Sequence, residues 1–206
     1  RGNPKGILQG QNLELELLQL LPEAHDLQSF DDLRLPFRAV AVDLANGAEV
    51  ILRSGNLATA LRASMSLPGV LAPAQIDGQS LVDGGLVRNL PVGIALRHDV
   101  DVMVIVDVGT PVDSEEVASV IDVSAQMLAI LTQQNVDRSL DLIRGTDVFM
   151  RPALGDISSA DFDRAAEAVA IGRAAALLHR SELEELSVGE RAWAQYLQKQ
   201  RRPKQR

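Results

Sequence analysis

Residues 102 to 106 read Val-Met-Val-Ile-Val, an apolar run with no polar interruption. A half-buried strand alternates apolar and polar positions, so a continuous run predicts a strand covered on both faces, central in a sheet sandwiched by helices. Strand and helix patterns alternate around it. Gln11 to Leu21 carries leucines at 13, 15, 17, 18, 20 and 21 and stops at Pro22, which predicts a helix. Phe37 to Leu44 alternates and is β-rich, Asn46-Gly47 is a hairpin turn, and Glu49 to Leu52 returns as an antiparallel partner. Asn56 can cap a helix from Leu57 to about Met65, with Pro68-Gly69 ending it. Pro91 to Arg97 reads as another helix. Glu115 to Arg144 is helical material, as two helices or one kinked helix, closed by Gly145. Asp147 to Met150 makes a last short strand, Ser159 caps a long helix ending near His179, and Glu182 to Gln200 is helical. This alternation predicts an α/β layered domain without internal repeats.

Composition narrows the function classes. With 206 residues, 46% hydrophobic and 23% charged, the chain can bury a core of its own. A net charge of -8, a pI near 4.9 and 3% aromatic residues argue against a nucleic-acid partner, which would need a basic face. The basic run from Lys199 to Arg206 reads as a solvated tail. No apolar stretch approaches the about 20 residues that cross a bilayer. The absence of cysteine excludes disulfides and thiolate chemistry and suits a secreted or periplasmic protein.

The chemistry-bearing segment is Ser80-Leu-Val-Asp-Gly-Gly-Leu-Val-Arg-Asn-Leu-Pro-Val92. A carboxylate closing a short strand, followed by two residues without a β-carbon, can face a reaction centre while the backbone folds tightly beneath it. Asp83 is therefore the candidate catalytic residue, against the plain reading of Asp83-Gly84-Gly85 as a turn. Asp43, Asp107 and Asp147 also close strands, but no histidine accompanies them at ligand spacing, so no metal is expected. His25 lies in a polar loop, and His98 and His179 end helices, where a cation is favoured by the helix dipole.

The segment Ala60-Leu-Arg-Ala-Ser-Met-Ser-Leu-Pro-Gly-Val-Leu-Ala-Pro73, followed by Asp77-Gly78-Gln79 and Val82-Asp83-Gly84-Gly85, resembles the region of the active-site acid in patatin-like phospholipases. Asn89-Leu90-Pro91-Val92, the strand 102 to 108, residues 146 to 152 and the helix from Phe162 to Gly172 are similar to successive segments of that family. The resemblance runs from about residue 6 to residue 180. It implies a three-layer α/β/α sheet sandwiched by helices, over residues 1–182, followed by a helical extension and basic tail at 183–206. It further implies a serine acyl hydrolase without cofactor or metal, in which a Ser-Asp dyad uses Asp83 as base, with Gly84, Gly85 and Asn89 supporting its loop.

Arg62 and Ser64 are candidates for bracing that loop, against an exposed helix arginine and a cap-like serine. The family's Gly-x-Ser-x-Gly motif and glycine-rich oxyanion loop do not occur in this sequence. The expectation is a fold incomplete at its N-terminal side and a stretch inactive alone, its nucleophile and an upstream segment of the same protein being required. The implied substrate is a phospholipid or other lipid ester, reached by peripheral membrane contact, with a homodimer compatible. The helix from Val117 to Leu131 is a surface for that contact, but its apolar residues read first as core. A secreted or outer-membrane-associated bacterial protein is favoured over a cytoplasmic one. The competing function is a non-catalytic lipid-binding or interaction domain of the same fold. An unrelated nucleotide-binding domain is disfavoured, because no Gly-x-Gly-x-x-Gly follows a strand.

Overall fold

The computed structural model describes residues 11–22, 24, 26–109, 120–157 and 161–201. Expectations for His25, for Ser159 as a cap and for residues 115–119 and 202–206 lie outside them. In chain order the elements are α1 (Gln11–Leu20), β1 (Ala39–Asp43), β2 (Glu49–Leu52), α2 (Leu57–Ser64), β3 (Ala74–Ile76), β4 (Gln79–Asp83), α3 (Gly85–Arg88), α4 (Val92–Leu96), β5 (Val104–Val106), α5 (Val120–Leu140), β6 (Val148–Met150), α6 (Ala165–Leu178), α7 (Arg180–Glu185) and α8 (Glu190–Arg201). The protein is α/β, with a mostly antiparallel sheet and helices, consistent with a patatin-like α/β/α fold. It divides between Asn89 and Leu90 into two compact units.

The first unit is built on an antiparallel sheet of order β2-β1-β4-β3. Asn46-Gly47 makes the β1–β2 hairpin as expected, Gly47 taking a φ of 71° that a residue with a β-carbon rarely adopts. All of β1 is buried, so both faces of this strand are covered. Ala39 and Ala41 on one face join Leu52, Ala74 and Leu81 of the neighbouring strands under Leu57, Ala60 and Ala63 of α2, with Phe30 completing the core. Small residues on β1 and α2 let helix and sheet approach closely, while Phe30 and the leucines supply the apolar area.

Asn56 caps α2 by accepting a hydrogen bond from the Thr59 N–H at 3.2 Å, satisfying one of the otherwise unpaired first-turn donors. Asn56→Ala should lower stability by about 1 kcal/mol, read as a shifted urea midpoint at unchanged slope.

The second unit holds a parallel pair, β5–β6, whose inner residues Met103 and Ile105 pack with Leu90, Val92 and Val136. Here an expectation fails. Among the described residues β5 pairs only with β6, and Val104 and Val106 are 50% and 47% exposed, so β5 alternates like a strand covered on one face where a central strand was expected. The apolar run resembles a doubly covered strand because its outer positions are valine. α5 is one continuous helix, and Met127 and Leu131, read as core, are exposed together with Val123 and Ile130. The helix expected from Glu182 to Gln200 is broken at Ser187-Val188-Gly189, residues of weak helix propensity, into α7 and α8. Among the described residues, no helix is long and apolar enough to cross a membrane.

Candidate active site

Asp83 ends β4, opposite Ala41 of β1. Directly paired residues of an antiparallel ladder project to the same side, which puts Asp83 on the face where α2 packs. Its backbone N–H donates to the Ser66 carbonyl at 3.0 Å, fixing the strand end to the chain just after α2. Its Oδ1 accepts the Gly85 N–H at 2.7 Å, and this is the carboxylate's only hydrogen-bond donor among the described residues. Among the described residues, no donor is placed on Oδ2.

The two glycines act differently. Gly84 is buried at an ordinary helical φ of −64°, and its hydrogen faces β1: a β-carbon there would stand 2.3 Å from the Val40 carbonyl oxygen. At Gly85 a β-carbon would stand 3.0 Å from Asn89 Oδ1 and 3.1 Å from Asp83 Oδ1. The structure thus brings Asp83, Gly85 and Asn89 together around one point, Asn89 reaching back from the end of α3. The Arg88 guanidinium ion-pairs with Glu49, tying α3 to β2.

Behind this loop lies a polar strap. Arg62, which sequence alone offered as either a brace of the loop or an exposed helix arginine, is 5% exposed; its guanidinium bonds Ser66 Oγ and, at 2.7 Å, the Ala72 carbonyl. Ser66 Oγ in turn donates to the Arg62 carbonyl at 2.7 Å, and Ser64 Oγ donates to the Val40 carbonyl at 2.7 Å. Both residues thus brace the loop: Ser64 holds β1 where Gly84 crosses it, and Arg62 holds the segment that receives the Asp83 N–H. Ser66, fully buried at the junction, was assigned no role from sequence; its spacing of four from Arg62 on a helix end is the signal that could have found it.

Burial pushes the Asp83 carboxyl above its ordinary value, and the Gly85 N–H opposes the shift without cancelling it. Because the folded-state value exceeds the unfolded one, the associated stabilisation is present with the carboxyl protonated and is lost as pH rises through the folded value. Asp83→Asn should therefore raise the urea midpoint near neutral pH, with the gain disappearing below the ordinary carboxylate range.

The other strand-end acids have structural partners. Asp43 accepts from the Ala45 N–H and the side-chain amides of Asn46 and Gln79, closing the β1–β2 turn. Asp107 is paired with Arg151 at 2.6 Å, and that guanidinium also lies 5.5 Å from the Phe149 ring centre. The Arg144 guanidinium, with the Met103 N–H, holds the Asp147 carboxyl well below the usual carboxylate range. Among the described residues, no three His, Cys, Asp or Glu side chains gather as a metal site. His98 follows α4, its N–H bonded to the Ala95 carbonyl, and His179 pairs with Glu182 at 2.6 Å at the end of α6.

Residues 1–96 match the family model described as Patatin-like phospholipase. An uncharacterized NTE family protein of Mycobacterium tuberculosis is 44% identical over 63 residues, 31% of this chain and 18% of that protein. A second uncharacterized NTE family protein of that organism is 43% identical over 58 residues, 28% and 10% of the two chains. Patatin-like phospholipase domain-containing protein 7 of Mus musculus is 36% identical over 85 residues, 40% of this chain and 6% of the relative. The matched stretches therefore span less than a fifth of the length of these relatives. The family match ends at residue 96, whereas the resemblance read from sequence extends to about residue 180. The family model matches residues 1–96, the span that carries Asp83, both glycines and Asn89, and over that span this chain is similar to patatin-like phospholipases.

Proposed function

We propose that this chain is part of a lipid acyl hydrolase, acting on phospholipid or other lipid esters, in which Asp83 is the general base of a Ser-Asp dyad. One observation carries the reading. A half-buried carboxylate at a strand end accepts one backbone N–H on Oδ1, takes no donor on Oδ2 among the described residues, and binds protons more tightly than an ordinary aspartate. Such a group has the geometry and basicity to take a proton from a serine hydroxyl.

In the proposed cycle a serine from a Gly-x-Ser-x-Gly segment, a motif this sequence lacks, attacks the ester carbonyl as Oδ2 of Asp83 takes its proton. The proton passes to the departing alcohol. Water, deprotonated by the same carboxylate, then attacks the acyl-enzyme, and the proton returns from Asp83 to the serine oxygen as the fatty acid leaves. Gly85 keeps Asp83 aimed by its N–H, and Asn89 packs the other side of that turn.

A serine-directed fluorophosphonate provides the test. A longer form of the protein that includes a Gly-x-Ser-x-Gly segment should be labelled and should hydrolyse a fluorogenic phospholipid, while the 206-residue stretch alone should do neither. Absence of labelling in the longer form would favour a lipid-binding or interaction domain instead.

A further inference from the structure

Charge in this protein is unevenly divided along the chain. From Arg191 onward the sequence holds six of its 20 Lys and Arg and none of its 28 Asp and Glu, so that segment carries +6 and the preceding 190 residues carry −14. The same segment contains the chain's only tryptophan and only tyrosine. Both lie on α8, three residues apart and so on one face of the helix, with their rings stacked at 5.5 Å between centres and 20° between planes. Trp193 is 52% exposed and Tyr196 39% exposed. An aromatic pair that large is normally drawn into a core. Here it stands in solvent on a helix whose described residues are otherwise exposed, apart from the half-buried Leu197.

We infer that α8 is a membrane-interface helix that binds anionic lipid headgroups through its basic residues and seats Trp193 and Tyr196 at the headgroup level. Tryptophan and tyrosine favour that depth because each has an apolar body and a polar tip, and basic residues on the same segment add attraction to an anionic leaflet. The charge division selects this occupant. The preceding 190 residues carry −14 and are repelled by an anionic bilayer, whereas the segment from Arg191 onward is attracted to it. This binding does not depend on Asp83 being a base, because it is measured without turnover.

Trp193, as the sole tryptophan, reports on its own surroundings. The 206-residue chain is titrated with vesicles of phosphatidylcholine and with vesicles of phosphatidylcholine mixed with phosphatidylglycerol. The expected result is a saturable blue shift of Trp193 emission with the mixed vesicles only, reversed by high salt. Each basic residue near an anionic surface is worth roughly fivefold in partitioning, so Arg191→Glu with Lys199→Glu should weaken binding by at least about 25-fold. Co-sedimentation should show Trp193→Ala with Tyr196→Ala losing binding as well. Unchanged emission with both vesicle types would overturn the inference, as would equal binding to neutral vesicles that ignores the charge reversal. A blue shift that grows with protein concentration without lipid would assign the surface to a second copy of the chain instead.

Discussion

Asp83→Asn in the longer, serine-containing form should lower kcat/KM for a phospholipid substrate by about 10²–10⁴-fold, the range contributed by a positioned general base. The amide retains an oxygen to accept the Gly85 N–H, so the loop should stay in place while the proton acceptor is removed. The pH profile gives a second readout. A base must be ionised to work, and burial raises the pH at which Asp83 ionises, so the acid limb of kcat/KM should fall above the ordinary carboxylate range. An Asp83→Asn variant with wild-type turnover and an unchanged profile would remove Asp83 from the chemistry. If His98→Ala alone abolished turnover, a histidine base would take its place.

Gly84→Ala should destabilise the first unit by about 3 kcal/mol, the upper end for forcing atoms into a filled site. Backbone strain is not the cause, because φ at Gly84 suits alanine. The added methyl would overlap the Val40 carbonyl oxygen, which also accepts the Ser64 hydroxyl and belongs to a fully buried strand that cannot retreat. Gly85→Ala makes the contrasting case. Its methyl would meet side-chain oxygens of Asp83 and Asn89 at 3.0–3.1 Å, and these can swing aside. It should leave the denaturation midpoint nearly unchanged and lower hydrolysis, because the displaced group is the proposed base. Equal midpoints for the two variants would contradict the close approach of Gly84 to β1.

Features dictated by local chemistry were legible before any coordinates. Asn46-Gly47 accommodates its positive φ, Asn56 caps the helix it precedes, and Asp83 sits at its strand end as its flanking residues implied. Asp77-Gly78 carries the same turn signal, yet the short strand β3 before it was not anticipated, because Pro73-Ala74-Gln75-Ile76 has too little alternation to read. What escaped depended on distant partners. Val104 and Val106 look like core until the neighbours of β5 are known. Arg62 fits a loop brace and a solvated helix residue equally well until Ser66 and Ala72 close around its guanidinium. Burial is a property of the fold, and a residue's type records it only on average.

The pairing of β3 with β4 matches Ile76 to Gln79 across the two-residue turn Asp77-Gly78, whose φ values of 50° and 79° are both positive. Successive side chains on a strand alternate between faces, so that remote turn acts as a ruler for the acid at the far end of β4. Adding or deleting one residue between Ile76 and Gln79 would invite a one-step slip, swinging the carboxyl to the wrong side of the ribbon and presenting Val82 in its stead. Insertions tolerated elsewhere on the surface should be refused at this tip, five residues away from any chemistry.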